Sequence, residues 1–198
     1  IVFGDWSSDV CSSDLRDSEL YFKAATNLYR CEPSASSAAQ LAEMNVARKN
    51  YNEAEKYYTE AIELETDLIV KSGLLTKLAT LELTSDSKQA ARDFAKAAYS
   101  LDPTNGNALF IIAEAYAGAR IGETFENQTV YWVVVDYLVR AKNTDPGLKE
   151  QAEERIAIYS RLFPTKEEAF FRSLVEEGAP YQVGGWINES TTVRFKKE

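Results

Sequence analysis

The stretch LAEMNVARKNYNEAEKYYTEA, residues 41–61, decides the fold of this 198-residue chain. Its small and apolar residues follow the spacing of two amphipathic helices joined by a tight turn. Ala42 and Ala61 lie 19 positions apart, and Ala79 and Ala98 repeat that distance. Alanine suits such positions because packed helices bring their axes to about 8–10 Å. The recurrence over roughly 34 residues predicts stacked pairs of antiparallel helices.

The third unit is longer than the first two. Ala113 and Ala141 occupy the equivalent positions but lie 28 positions apart. We expect the extra residues in a loop from Gly118 to Thr129. Asp102-Pro103 and Asp145-Pro146 predict where second helices end, because proline removes a donor and pushes the preceding residue out of the helical region.

These units resemble the tetratricopeptide repeat (TPR) family over about residues 34–163. The resemblance is clearest at Tyr51–Ala54 with Tyr57–Ala61, and again at Ala113–Tyr116. The sequence is also similar in style to uncharacterised bacterial TPR proteins. It departs from the family pattern at three positions. Polar residues, Asn45 and Glu82, stand where the family usually has an aromatic, and Thr66 stands where a proline would close the unit. The resemblance implies an all-α, TPR-type α-solenoid of antiparallel helix pairs.

Four segments are predicted along the chain. Residues 5–15 resemble a translated sequencing adapter, so residues 1–15 are interpreted as non-native and the true N-terminus as missing. Residues 16–33 are expected to be a helix of a truncated upstream repeat. Residues 34–178 hold the repeats and capping helices, and 179–198 form a tail. An export signal cannot be assessed on this interpretation, so the sequence leaves the cellular compartment open.

Local patterns add detail to the upstream helix and to the third unit. Leu20, Ala24 and Leu28 form one stripe of a helix over residues 17–30. Tyr131–Val135 has strong strand propensity, but helix is predicted there because the helical spacing continues into the next Asp-Pro stop. Further helices are predicted near residues 36–48, 51–65, 68–84, 86–101, 107–118, 129–143 and 148–163.

Capping and alternation patterns describe the remaining segments. Asp86 with Gln89, and Thr165 with Glu168, have the spacing of capping boxes. The tail alternates over residues 181–187 and 191–195, which predicts a short β-hairpin-like element. An isolated hairpin is marginal in water. We therefore expect its large apolar residues, Trp186 and Phe195, to dock on the last helices.

The composition argues against an enzyme. The chain has no histidine, the commonest general base and a common metal ligand. No phosphate-binding glycine loop is present, so no catalytic residue, metal site or cofactor is predicted. Cys31 is interpreted as a small buried residue. The net charge is −9, or about −6 without residues 1–15, and nucleic acid is not expected as a partner. No apolar stretch is long enough to span a membrane.

The TPR resemblance implies that the first helix of each pair lines a concave face. That face would take an extended or helical protein segment with apolar and basic residues. It lacks the lysine, asparagine and arginine set of the chaperone-binding branch. An equal alternative is that the same residues merely pack on neighbouring helices. The residues concerned are Ala39, Glu43, Val46, Thr76, Thr80, Leu83, Phe110, Glu114 and Ala117.

Three functions remain open from sequence. The leading hypothesis is a non-catalytic scaffold that binds a protein or peptide in the groove of its TPR array. The second is a homo-oligomeric structural protein. The third is a docking or regulatory part of a larger protein whose N-terminal region is missing.

Overall fold

The structure is a computed structural model that describes residues 19–173 and 176–197. The segment interpreted as adapter-derived, residues 1–15, lies outside the described residues. The chain divides into two compact units, Ile1–Thr66 and Asp67–Glu198, which are described in turn.

The first unit contains one packed helix pair and a preceding helix. Ser34 begins the pair with a capping box, in which its side chain and that of Ser37 each accept from the other's backbone N–H. Ala42 and Ala61 are fully buried, as the repeat predicts. The helices of this unit are α1 (Glu19–Cys31), α2 (Ala35–Ala47) and α3 (Tyr51–Leu64).

Helix α1 forms where the sequence predicts a helix, but its apolar stripe is exposed. None of its residues is buried, and Leu20 and Leu28 of the predicted stripe are 79% and 55% exposed. Cys31 is exposed as well, so its interpretation as a buried residue is wrong. Polar and aromatic contacts attach α1 instead: Tyr29 donates to Glu60, and the Arg48 guanidinium lies 4.0 Å from the Phe22 ring centroid.

The second unit begins with two further helix pairs. Ala79 and Ala98 are fully buried in the first of them, and Ala113 and Ala141 in the second. The unit's elements are α4 (Leu68–Thr84), α5 (Lys88–Leu101), α6 (Gly106–Tyr116), α7 (Thr124–Thr144), a 3-10 turn (Pro146–Leu148), α8 (Lys149–Ser160), α9 (Lys166–Phe170), β1 (Pro180–Val183) and β2 (Glu189–Thr192).

Asn105 joins three helices of this unit at one turn. Its Nδ2 donates to Ser72 Oγ at 2.8 Å and to Thr76 Oγ1 at 2.9 Å, both on α4. Its Oδ1 accepts from Ala108 N and caps α6. Ser72 Oγ donates in turn to the Ala98 carbonyl of α5. The next residue, Gly106, approaches α7 so closely that an added Cβ would lie 2.5 Å from Asp145 Cβ.

Only one of the two predicted capping boxes forms. Thr165 and Glu168 exchange both bonds, as predicted. Asp86 does not cap α5, because it occupies the left-handed region at φ 59° and the helix begins after Ser87. The backbone turns sharply at Asp86, which moves its side chain away from the N-cap position.

Helix α7 begins earlier than predicted, so the predicted loop is shorter. The loop from Gly118 to Thr129 ends early, and Thr124–Gln128 are helical. Phe125 and Thr129 are buried on the added turns, so burial stabilises helix there. The helix predicted over Tyr131–Val135 is confirmed, since those residues lie in the middle of α7.

The tail is a two-stranded antiparallel hairpin, as the sequence predicts, although its turn is shifted. Tyr181 pairs with Thr191, and the turn covers residues 184–188 instead of 188–190. Phe195 packs with Phe163 and Ala169 near the last helices, as expected. Trp186 does not; it contacts α5 and α6. The architecture is thus all-α and of TPR type, with a small C-terminal sheet.

Candidate protein-binding site

The predicted lining residues of the first unit lie on α2. Ala39 and Val46 are partly buried, and Glu43 is exposed. The fully buried α2 side chains lie close to them in sequence, at Ala38, Leu41 and Ala42. Glu43 is therefore the exposed acidic residue among the three predicted lining residues of α2.

Helix α4 offers a polar face. The Thr76 and Thr80 hydroxyls each donate to the backbone carbonyl four residues earlier, at 2.8 and 2.9 Å. Thr76 also accepts from Asn105, so its hydrogen-bonding capacity is used inside the fold. Thr80 is exposed, and Leu83 is partly buried against the core. Only Thr80 of these three presents a mainly accessible side chain.

The α6 residues are engaged by neighbouring helices. Phe110 and Ala117 pack against the hydrophobic core. Glu114 accepts from Tyr159 at 3.3 Å and lies 3.5 Å from Arg155, both on α8. Burial and then the Glu114 charge raise the pKa of Tyr159 to about 12. The α6 residues therefore mostly pack on neighbouring helices, which is the alternative to a partner-binding role.

A polar cluster around Glu189 was not anticipated from the sequence. Its Oε1 accepts from Lys96 Nζ at 2.6 Å, Tyr137 OH at 2.9 Å and Tyr116 OH at 3.0 Å. The donors come from α5, α7 and α6. One carboxylate of the hairpin thus ties the tail to three helices.

The ionisation of this cluster follows from its geometry. Partial burial acts to raise the pKa of Glu189, but the hydrogen bonds from Lys96, Tyr137 and Tyr116 outweigh burial and hold it below its usual value. Burial, and secondly the Glu189 charge, raise the pKa of Tyr137 to about 12 and that of Tyr116 further. The cluster is therefore stable as a carboxylate with two neutral phenols.

Trp186 fixes the hairpin turn. Arg92 Nη1 donates to its carbonyl at 2.6 Å, and the Arg92 guanidinium lies 5.1 Å from its ring centroid. Its ring also lies 5.5 Å from that of Tyr116. Gly185 takes φ +63°, and an added Cβ there would meet Ile121 at 2.9 Å. A small residue with left-handed freedom is required at this point.

A second surface lies along α7. There, α8 and the end of the tail form two walls around a cavity of about 1090 Å³, called here the α7 groove. Buried Val133 and Phe195 contribute to its base, while Val139 and Arg140 of α7 are exposed in it. No predicted lining residue belongs to this groove. Sequence could not have found it, because its walls come from separate segments.

Within residues 19–173 and 176–197, no three His, Cys, Asp or Glu side chains are grouped so that they could hold a metal ion. In the same ranges, no helix combines the length and apolar character needed to cross a bilayer.

Comparisons with known proteins support the fold. No protein-family model and no curated protein sequence matches the chain. Among solved structures, it resembles "Crystal structure of MamA" with a TM-score of 0.58, 14% identity and 88% of each chain covered. It also resembles "MamA RS-1 ArsTM double mutant" (TM-score 0.56, 12% identity, 72% of this chain and 73% of that one). A third is "MamA 41-end from Desulfovibrio magneticus RS-1" (0.52, 12%, 79% and 77%). MamA is a TPR-containing protein, so these similarities show a TPR-type fold.

Proposed function

We propose that the chain is a non-catalytic scaffold that binds a segment of another protein along the first helices of its helix pairs. The observation that carries this proposal is the TPR-type packing of the pairs, seen in the fully buried alanines Ala42, Ala61, Ala79 and Ala98. Repeats of this kind present helix faces to partners. The absence of histidine from the sequence also disfavours the commonest acid–base chemistry.

The accessible lining residues indicate the partner's chemistry. In the second unit, Thr80 on α4 is exposed, and Leu83 and Phe110 offer partly buried apolar surface. In the first unit, Glu43 on α2 is an exposed acidic residue. A segment with apolar and basic side chains would match these residue types. Glu114, paired with Arg155, contributes less than the sequence suggested.

Site-specific crosslinking tests the proposal. A photo-crosslinking residue placed at Thr80 should capture a defined protein from the source organism. The same residue at Ala97, exposed on the second helix of the pair, is the matched control. Capture at Thr80 and not at Ala97 supports the proposal. Equal capture at both positions, or none from the folded protein, contradicts it.

Self-association is a second candidate, favoured by an exposed apolar run. Leu68, Ile69 and Val70 at the start of α4 are 57%, 69% and 49% exposed. Adjacent exposed apolar residues are a feature of protein contact sites. If the chain forms a homo-oligomer there, Ile69→Asp should convert it to a monomer in light scattering, whereas Thr84→Asp at the other end of α4 should not. A chain that is already monomeric at high concentration rules this candidate out.

A further inference from the structure

The α7 groove has an unusual charge for this chain. Its rim carries Arg140, Arg161, Arg194 and Lys197, although the whole sequence has a net charge of −9. Few carboxylates lie at the groove, and most of them already pair with other side chains.

Arg194 is used inside the fold. It pairs with Asp136, which also accepts from Thr191 Oγ1 at 2.5 Å. Arg194 donates further to the Trp132 carbonyl at 3.1 Å and to Thr192 Oγ1 at 3.2 Å. This arginine anchors the tail and has little capacity left for another partner.

Three cations remain without a carboxylate partner among residues 19–173 and 176–197: Arg140, Arg161 and Lys197. Glu189, although it lines the groove, is occupied by Lys96 and two tyrosines. Asp136 on the lining is paired with Arg194, and Glu177 is the third acid there. The groove therefore presents a local excess of positive charge.

Two aromatic rings hold the Arg140 side chain in an orientation that can bind an anion. Its guanidinium lies 4.8 Å from the Tyr137 ring centroid and 5.5 Å from that of Tyr99. Stacking on aromatic rings orients a guanidinium and leaves N–H groups for a carboxylate. A prepositioned arginine loses less side-chain entropy on binding than a mobile one.

The groove also has apolar surface between its cations. Val139 is 36% exposed, and Ala157 on the α8 wall is exposed. The aromatic rings at the groove are turned inward, since Tyr137, Phe163 and Phe195 are each no more than 7% exposed. Single-stranded nucleic acid needs exposed rings or an extended basic stripe, and this groove supplies neither.

We infer that the α7 groove is a second docking site, which binds an acidic segment of a partner protein with apolar residues between its carboxylates. Carboxylates would pair with Arg140, Arg161 and Lys197, and an apolar side chain would contact Val139 and Ala157. This site lies apart from the predicted lining residues, so its failure would leave the crosslinking result at Thr80 untouched.

Fluorescence anisotropy with a labelled peptide tests the inference. The probe is a peptide of about seven residues with capped ends, alternating glutamate and leucine. Matched probes carry lysine for each glutamate, or serine for each leucine. We expect the 198-residue chain to bind the glutamate–leucine probe at least about tenfold more tightly than either matched probe, and less tightly as NaCl rises from about 50 to about 500 mM.

Variants assign the binding to the groove. Arg161→Glu combined with Lys197→Glu should weaken binding about tenfold or more. Lys149→Glu combined with Lys56→Glu is the matched control, because it reverses two exposed charges outside the groove, on α8 and on α3. Ala157→Trp should block binding by filling the groove without changing any charge. Circular dichroism and thermal unfolding verify that each variant is folded.

Several results would overturn the inference. Equal binding of the lysine and glutamate probes would do so, as would equal losses in the control and the double charge reversal. Tighter binding of a single-stranded DNA oligonucleotide, lost in the same double variant, would assign the groove to nucleic acid. Self-association abolished by Ala157→Trp would assign it to a second copy of the chain.

Discussion

The helix pairs α2/α3 and α6/α7 are built on the same alanine contacts, but they bury very different amounts of side chain. Buried residues number five on α2 and three on α3, against eight on α6 and ten on α7. The difference has an identifiable origin. Helix α8 packs against α7 with Tyr159 reaching Glu114, and the hairpin places Glu189 against α6 and α7. The number of residues that a repeat buries thus depends on the elements packed over it as much as on its own spacing of apolar residues.

The largest expected effect comes from the tryptophan at the centre of α7. Trp132 is fully buried, and its ring lies 5.2 Å from Tyr181 of the hairpin and 6.4 Å from Phe125. Trp132→Ala should lower the free energy of unfolding by about 3–5 kcal/mol, measured in urea, because it leaves a large cavity. Trp132→Phe should cost less, since the indole N–H has no hydrogen-bond partner to lose. Equal losses in the two variants would contradict this packing.

Two glycine substitutions in the second unit should act in opposite directions. Gly106→Ala would force a Cβ to within 2.5 Å of Asp145 Cβ and should destabilise by about 1–3 kcal/mol. Gly73→Ala, inside α4 with nothing within 4 Å of the added Cβ, should stabilise by about 0.5–1 kcal/mol. Thermal unfolding of both variants checks the pair. No loss of stability in Gly106→Ala would mean that α6 does not approach Asp145 so closely.

The Glu189 cluster predicts a pH dependence. The folded-state pKa of Glu189 is depressed, so its stabilisation is complete above about pH 4.5 and is lost as pH falls through that depressed value. Tyr137, raised to about 12, favours folding below about pH 10, and this contribution declines as pH rises toward 12.

Glu189→Gln tests the part of this pH dependence that occurs at low pH. It should cost about 1 kcal/mol near neutral pH and progressively less below about pH 4. Urea unfolding of both proteins across this range measures the difference. Glu55→Gln, an exposed position on α3, provides the control and should show almost no change. A constant difference between Glu189→Gln and the unaltered chain at all pH values would count against the cluster.

The smallest effect is expected at the exposed stripe of α1. Leu20→Ser should change the free energy of unfolding by less than about 0.5 kcal/mol, because Leu20 is 79% exposed. Leu41→Ala on α2, a fully buried position in the same unit, should cost about 2–5 kcal/mol. Comparable effects at the two positions would show that the stripe is covered in solution.

Sequence predicts the parts of this fold that depend on local spacing. Ala42 with Ala61, and Ala79 with Ala98, identify close helix contacts because each pair belongs to one helical hairpin. The helix through Tyr131–Val135 is also predicted, since the spacing of buried residues outweighs strand propensity. These features require only the periodicity of short segments.

Features that depend on distant residues could not be predicted. The partners of Glu189 are 52, 73 and 93 positions away in sequence. No sequence pattern near Glu189 indicates these partners. For the same reason the sequence predicts Trp186 on the last helices, whereas it contacts α5 and α6, and no sequence pattern indicates the Glu114 contacts with Tyr159 and Arg155. The α7 groove is assembled from α7, α8 and the tail, so only a three-dimensional arrangement reveals it.

Hydrogen–deuterium exchange of the whole chain measures whether the covering elements make α6/α7 the more strongly packed pair. We expect the slowest exchange in α6, in α7 and in the hairpin strands, with faster exchange in α2, α3 and α1. Trp132→Ala should release the hairpin and α7 together. Exchange in α7 that is as fast as in α2, or a hairpin that exchanges freely while α7 stays protected, would contradict the claim.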